Sequence, residues 1–566
     1  MNTDFRNRYL SYEELTATLQ SWVTQYPDLA RLQSIGQTDE GRELWVLTVG
    51  PRPDEIRPAV WVDGNMHAAE LCGSSVALGI ALDMLKFHAD GEPPQDLPPA
   101  ACEALRDVLL YVMPRISPDG AERMLDHGGF VRSNTRDERP DEGRSYWRPC
   151  DVDGDGLAMA MRVEDPTGEF VESREVPNLM LLRTLDDEGP FYKLYPEGLI
   201  ENYDGRTIPT PSFLSDCPTD LNRNFPWSWR PEHDQIGAGA FPGSEPESRA
   251  VIEFTTGRPN IFAWLNLHTF GGVGIRPLSH LPDSKMDQSD LAIFRQVARW
   301  LEDYSGYPTV SGFEEFTYEP EKPIHGDLTD YAYHQRGCIS YVVELWDLFA
   351  RVGFERKKPF VDSYTDLTRA DLVAIGQWDR DHNFGRIVRP WKTWDHPQLG
   401  PVELGGVDQR VGIFNPPYEL LPETCDQQSA AFLRVAAMAP RIRVSDIQVE
   451  DLGGGLSRVD LAVGNQGYLP SYVLSSAKQL SWNEEPYLEI ACEACELAEG
   501  PERRRLGHLD GWGRGLGDGT GVLYYPYGRG NTGTSRQSFV VKGSGTVTVT
   551  VRSCRVGSVR TEISVG

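Results

Sequence analysis

The stretch AVWVDGNMHAAELCG, residues 59–73, opens as an apolar run with almost no polar alternation. It breaks at Asp63-Gly64-Asn65, before a histidine and a glutamate three positions apart. A short apolar run ended by turn residues reads as a strand buried on both faces. Four other runs share this texture: ELWVLTVG (43–50), VLLYVMPRI (108–116), IFAWLNLHTF (261–270) and ISYVVELW (339–346). Helical patterns lie between and after them, at AAELCGSSVALGIALDMLKFHA (68–89), DLAIFRQVARWLEDYSG (290–306) and QQSAAFLRVAAMAP (427–440). The alternation predicts an α/β fold, a mixed and mostly parallel sheet sandwiched by helices, with ligands gathering outside the strand ends.

Beyond Pro440 the texture changes to short alternating strands, RIRVSDIQVE, LSRVDLAVGN, PYLEIACE, SFVVKGSG and GTVTVTVRSC, separated by Gly, Asn and Ser turns. These predict a small all-β sandwich over 441–566 after a catalytic domain over 1–440. Residues from about 126 to 220 are polar, punctuated by proline and poor in regular pattern, and read as a long insertion bordering the site.

The 566 residues carry 84 acidic against 55 basic side chains, a formal charge of -29. That balance argues against nucleic acid and anionic membranes as partners, since both are held through a basic face. The start MNTDFRNRYLSYEELTATL lacks a basic stretch followed by an apolar core, and no run reaches the ~18 apolar residues of a membrane span. The expectation is a cytoplasmic protein, with signal-less export as the alternative, active without removal of a pro-segment. Nine cysteines, most of them isolated, do not form a disulfide framework. The C-x-x-C of Cys492 and Cys495 reads as incidental thiols, a local disulfide or half of a zinc site.

Catalytic zinc needs three protein ligands and an open fourth position. His67 and Glu70 offer two, although an H-x-x-E pair is common by chance. His268, ending an apolar strand before Gly271-Gly272, is the best third donor. Glu344 sits in an otherwise apolar strand, where an unpaired charge is costly, so it is either the partner of an arginine or a general base. In TDLNRNFPW (219–227), Asn222 and Arg223 suit a substrate carboxylate, or form a surface turn; Asp220 could orient a ligand histidine. The acidic run DVDGDG, with Asp151, Asp153 and Asp155, has the alternating carboxylates of a calcium loop but not the sequence of an EF-hand, and a solvated acidic turn is the other reading.

Taken in order, HAAE, RISPDG, DLNRNF, HTFGG and VVELW resemble the zinc carboxypeptidases of the funnelin (M14, carboxypeptidase A-like) family over roughly residues 10 to 400. The resemblance implies zinc on His67, Glu70 and His268, with Glu344 as general base. It implies Asn222 and Arg223 on the substrate's terminal carboxylate, and Asp220 orienting His67. The oxyanion arginine falls on Arg132, with Arg148 as competitor, and the closing tyrosine on Tyr318, with Tyr333 as the alternative. Ala69 stands where the family often has an arginine. Thr329 falls on the position that selects the substrate side chain and argues against a basic or large aromatic residue there. The implied reaction is removal of the last residue from peptides with a free C-terminus. The rivals are a zinc amidase acting on small N-acyl amino acids or cell-wall γ-glutamyl peptides, and a non-catalytic protein that binds C-termini.

Overall fold

The computed structural model describes residues 3–94, 96–137, 143–212, 214, 217–319, 321–513 and 530–566. Its centre is an eight-stranded sheet of β1 (Ala30–Gln37), β2 (Glu43–Val49), β3 (Ala59–Gly64), β4 (Leu109–Met113), β5 (Ile261–Thr269), β6 (Val273–Arg276), β7 (Thr309–Ser311) and β8 (Ile339–Leu345). In space the order is β1-β2-β4-β3-β5-β8-β6-β7. The four central strands, β4, β3, β5 and β8, are mutually parallel, and antiparallel pairs flank them. Every residue of β3, β4 and β5 is buried, which is why these segments lack polar alternation.

Helices cover both faces. On one side α1 (Cys72–Asp90), with α3 (Gln288–Ser305) and α5 (Leu421–Ala436), packs Val76, Ile80, Phe294 and Phe432 onto Val60, Val62 and Leu265. On the other, α2 (Pro246–Thr256) and α4 (Leu328–His334) pack Val251, Phe254 and Tyr331 onto Trp61 and Trp264. None of the helices among the described residues is long and apolar enough to cross a membrane.

Two expectations need correction. The helix anticipated from Ala68 begins only at Cys72. Asn65 Nδ2 donates to the carbonyls of His67 (2.8 Å) and Ala68 (3.1 Å), which folds residues 65–71 into a tight loop in place of a first helical turn. The loop closes where Gly64 meets Gly73: a Cβ on Gly64 would lie 2.6 Å from the Gly73 carbonyl. The insertion, in turn, is not irregular. Ala160–Glu164, Phe170–Glu172, Met180–Leu182 and Phe191–Pro196 build a six-stranded antiparallel sheet with the distant Val388–His396 and Gly400–Val407. Strands of three to six residues, one of which pairs with a strand more than 200 residues away, leave little local periodicity to read.

From Ile442 the chain forms two four-stranded antiparallel sheets around a separate core that includes Val459, Phe539, Val549 and Ile563. Arg555 pins this sandwich to the α/β unit. Fully buried, it donates to the carbonyls of Pro259 (3.0 Å), Ile261, Arg336 (2.9 Å) and Gly337 (3.0 Å), and stacks on Trp482. Hydrogen bonds from a charged donor are the strong ones, and removing the donor leaves those carbonyls buried and unpaired. Arg555→Met is therefore expected to cost about 3 kcal/mol in denaturant unfolding; a loss below about 1 kcal/mol would show that the anchor is dispensable.

Candidate active site

The parallel strands deliver their C-terminal ends to one place. In register, His268 of β5 lies opposite Glu344 of β8, and Leu267 lies opposite Gly64 at the end of β3. The loop after β3 then carries His67 and Glu70 back over the ends of both strands. The three residues are almost fully buried, and their nitrogen and oxygen atoms converge to within 4.8 Å. His67 Nδ1 lies 3.1 Å from His268 Nδ1 and 2.7 Å from Glu70 Oε1; Glu70 Oε2 lies 3.0 Å from His268 Nδ1 without hydrogen-bond geometry.

The far side of each ring explains this crowding. His67 Nε2 is 3.1 Å from Asp220 Oδ1, and His268 Nε2 is 2.6 Å from Asn266 Oδ1. If each Nε2 carries the proton, both Nδ1 lone pairs aim at one point beside the Glu70 carboxylate. Two lone pairs and an anion facing one another are stable around a cation, and two imidazoles with one carboxylate form a donor set for zinc. The residues fit such an ion.

Asn266 and Asp63 escaped sequence reasoning. Asp63, buried at the end of β3, accepts the Trp61 and Trp264 indole N–H groups (2.6 and 2.7 Å) and the Asn266 amide, which turns the Asn266 oxygen toward His268. Burial raises its carboxyl to about 6 in spite of these three bonds. The available signal was a polar residue inside each apolar run, with Asn266 two residues before His268 on the same strand face.

Electrostatics differ sharply across the site. Burial opposes ionisation of Asp220, yet Arg132 and His67 hold it well below the usual carboxylate range. Burial likewise opposes the Glu70 anion, and His67 and His268 outweigh it. Glu344 goes the other way, pushed well up by burial and by the Glu70 carboxylate, with Arg132 only partly compensating. Among the described residues Glu344 has no ion pair, so the salt-bridge explanation for it fails. A divalent cation on the His67, Glu70 and His268 atoms would lower it.

Arg132 donates through Nε (3.0 Å) and Nη2 (2.9 Å) to Asp220 Oδ2, and its Nη1 is 3.9 Å from Glu70. Arg148 is elsewhere, paired with Glu201 across a partly exposed two-stranded antiparallel sheet. Asn222, Arg223 and Tyr318 share a cavity of about 200 Å³ with His67, Glu70, Arg132, His268 and Glu344. Tyr318 is 56% exposed at its rim, whereas Tyr333 is buried and bonded to Asp290. Asp151, Asp153 and Asp155 do cluster, but all three carboxylates accept the loop's own N–H groups and Lys392 bonds Asp155 at 2.6 Å. The calcium expectation finds no support. Cys492 and Cys495 belong to no three-ligand group among the described residues.

Residues 15–154 and 201–354, together more than half of the chain, match the sequence profile of the zinc carboxypeptidases, and 441–564 match a domain of unknown function. A zinc carboxypeptidase of Saccharothrix mutabilis subsp. capreolus is 31% identical over 142 residues, 24% of this chain and 31% of that protein. Carboxypeptidase A4 of Mus musculus is 27% identical over 375 residues, 66% of this chain and 71% of that protein. The chain thus spans about a third of the length of the Saccharothrix relative. Bovine thrombin-activatable fibrinolysis inhibitor, solved in complex with tick carboxypeptidase inhibitor, superposes with a TM-score of 0.43 at 16% identity, covering 76% of this chain and 98% of that one. The chain belongs to the zinc carboxypeptidase (M14) family of hydrolases. The unmatched residues 155–200 hold the inserted strands described above.

Because the Asn266 amide oxygen faces His268 Nε2 at 2.6 Å as an acceptor, Asn266→Ala is expected to weaken zinc binding about 10–100-fold, measured by competition with a chelating dye. Unchanged affinity would remove Asn266 from the ligand-orienting set.

Proposed function

We propose that this protein is a zinc-dependent metallocarboxypeptidase that hydrolyses the last peptide bond of substrates with a free C-terminus. One observation carries the reading: Glu344 and Arg223, of opposite charge and without ion-pair partners among the described residues, share one cleft with the His67, Glu70 and His268 donor set. Each charge needs something from a substrate. Arg223 offers its guanidinium and Asn222 its amide N–H to the terminal carboxylate, which selects a chain end over an internal bond. Asn222 Oδ1 is already committed to the Leu328 N–H (2.9 Å), so its amide group has one fixed orientation.

His67, Glu70 and His268 would hold the zinc, which when bound polarises the scissile carbonyl and acidifies the attacking water. Glu344 takes the proton from that water and returns it to the leaving amine, which requires a carboxylate uncommitted to any other partner. Arg132, locked at Nε and Nη2 by Asp220, keeps Nη1 for the developing oxyanion. Tyr318 at the rim covers the bound residue.

Glu344→Gln removes the proton acceptor with almost no change in shape. On the zinc-loaded protein, kcat toward an unblocked peptide is expected to fall about 10²–10⁴-fold with KM little changed. C-terminally amidated peptides are expected to resist the wild type. Full turnover by Glu344→Gln, or equal hydrolysis of amidated peptides, would overturn the reading.

A further inference from the structure

The cavity that holds the metal donors is also lined by residues at the start of α4, and there the chain departs from its sequence-based expectation. Thr329 falls on the selecting position and by itself argues against a basic substrate residue. Asp327, two residues earlier, also lines the cavity and is 3% exposed. Its Oδ1 accepts the Asp330 N–H at 2.9 Å, capping α4, while its Oδ2 is buried with no hydrogen-bond partner. Thr329 Oγ1, on the first turn of the same helix, is also buried and unpartnered. Two unsatisfied oxygens in a cavity wall are costly in the free protein and are what an incoming cationic donor would engage.

A tally of charges in the cavity points the same way. Arg132 is balanced by Asp220, and Arg276 by Asp283 through Nε at 3.0 and 3.1 Å. Asp330 is taken by the Ser279 N–H and by His280 Nδ1 at 3.0 Å. Besides Glu344, which stands beside the metal donors, Arg223 and Asp327 remain, one of each sign; each feels the other's charge, but neither has an ion pair among the described residues. Burial, and then the neighbouring Asp330, raises the Asp327 carboxyl to about 7; Arg223 and the nearby Ser279 hydroxyl only partly offset this. Ile275, Phe316 and Val342 also line the cavity and supply apolar wall, suited to an aliphatic stem with a polar tip. The net charge of -29 also favours approach of cationic peptides.

Resting on the carboxypeptidase reading above, we propose that the residue removed is basic, a C-terminal lysine or arginine whose α-carboxylate meets Arg223 and whose side-chain cation meets Asp327 and Thr329. One amino acid then satisfies both unbalanced charges. A neutral terminal residue would leave Asp327 desolvated without a partner.

The test uses the zinc-loaded, full-length protein and peptides identical except for a final Lys, Arg, Leu, Phe or Glu. Lys and Arg peptides are expected to exceed Leu by about 10²-fold in kcat/KM. Asp327→Asn retains the helix cap, because asparagine caps as well as aspartate, and is expected to cut the Lys-to-Leu ratio by about 10²-fold. Preference for Leu or Phe in the wild type, or an unchanged ratio in Asp327→Asn, overturns the proposal. Calorimetric titration of both proteins with Nα-acetyl-lysine and Nα-acetyl-leucine accompanies the kinetics. If zinc-loaded protein cleaves no peptide, the carboxypeptidase reading falls, and the calorimetry still decides the pocket: selective lysine binding lost in Asp327→Asn supports it, and equal binding of the two ligands overturns it.

Discussion

Two imidazole nitrogens 3.1 Å apart, with a carboxylate beside both, form the constraint on which the rest of this molecule turns. Such a cluster has to be buried, so that its donors compete poorly for water, and held rigidly, so that they cannot splay apart. The fold meets both needs with parallel strands. Pairing of β3 with β5 and of β5 with β8 brings His268, Glu344 and the loop after Gly64 to the same edge, and helices close both faces of the sheet. Two glycines in contact, Gly64 and Gly73, let that loop return tightly enough to set His67 against His268.

Around the cluster the carboxyl groups are paired or fully hydrogen-bonded with two exceptions. Asp220 serves both His67 and Arg132, so a single carboxylate orients a ligand and aims an arginine. Asp63 acts further out, through Asn266, and is neutralised by dipoles instead of a cation. The exceptions, Glu344 next to the donors and Asp327 at the start of α4, are buried carboxyl groups raised by desolvation. Structural carboxylates in the same region are saturated with hydrogen bonds, and that contrast separates groups that hold the fold from groups that await a ligand.

The appended parts are fixed by a few polar contacts. Arg555 reaches from the sandwich into four main-chain carbonyls of the α/β unit, and the inserted strands complete their sheet only with residues 388–407. Both arrangements tie distant segments together, so each appendage depends on the fold of the unit it decorates.

The sequence by itself determined the central sheet, because strands buried on both faces must be apolar along their whole length. It also singled out His67, Glu70, His268 and Glu344, since charged or metal-binding side chains in apolar strands and at strand exits stand out against that background. Tertiary structure alone decided the remainder. That Arg132 and not Arg148 faces Asp220, that Asn266 and Asp63 orient His268, and that Asp327 has a free oxygen where Asp330 has none, are facts about residues far apart in the chain. The short inserted strands were illegible for a related reason: three to six residues are too few to show a period, and the sheet is completed by a pairing of Ala160–Glu164 with Gly400–Val407 that no local pattern records.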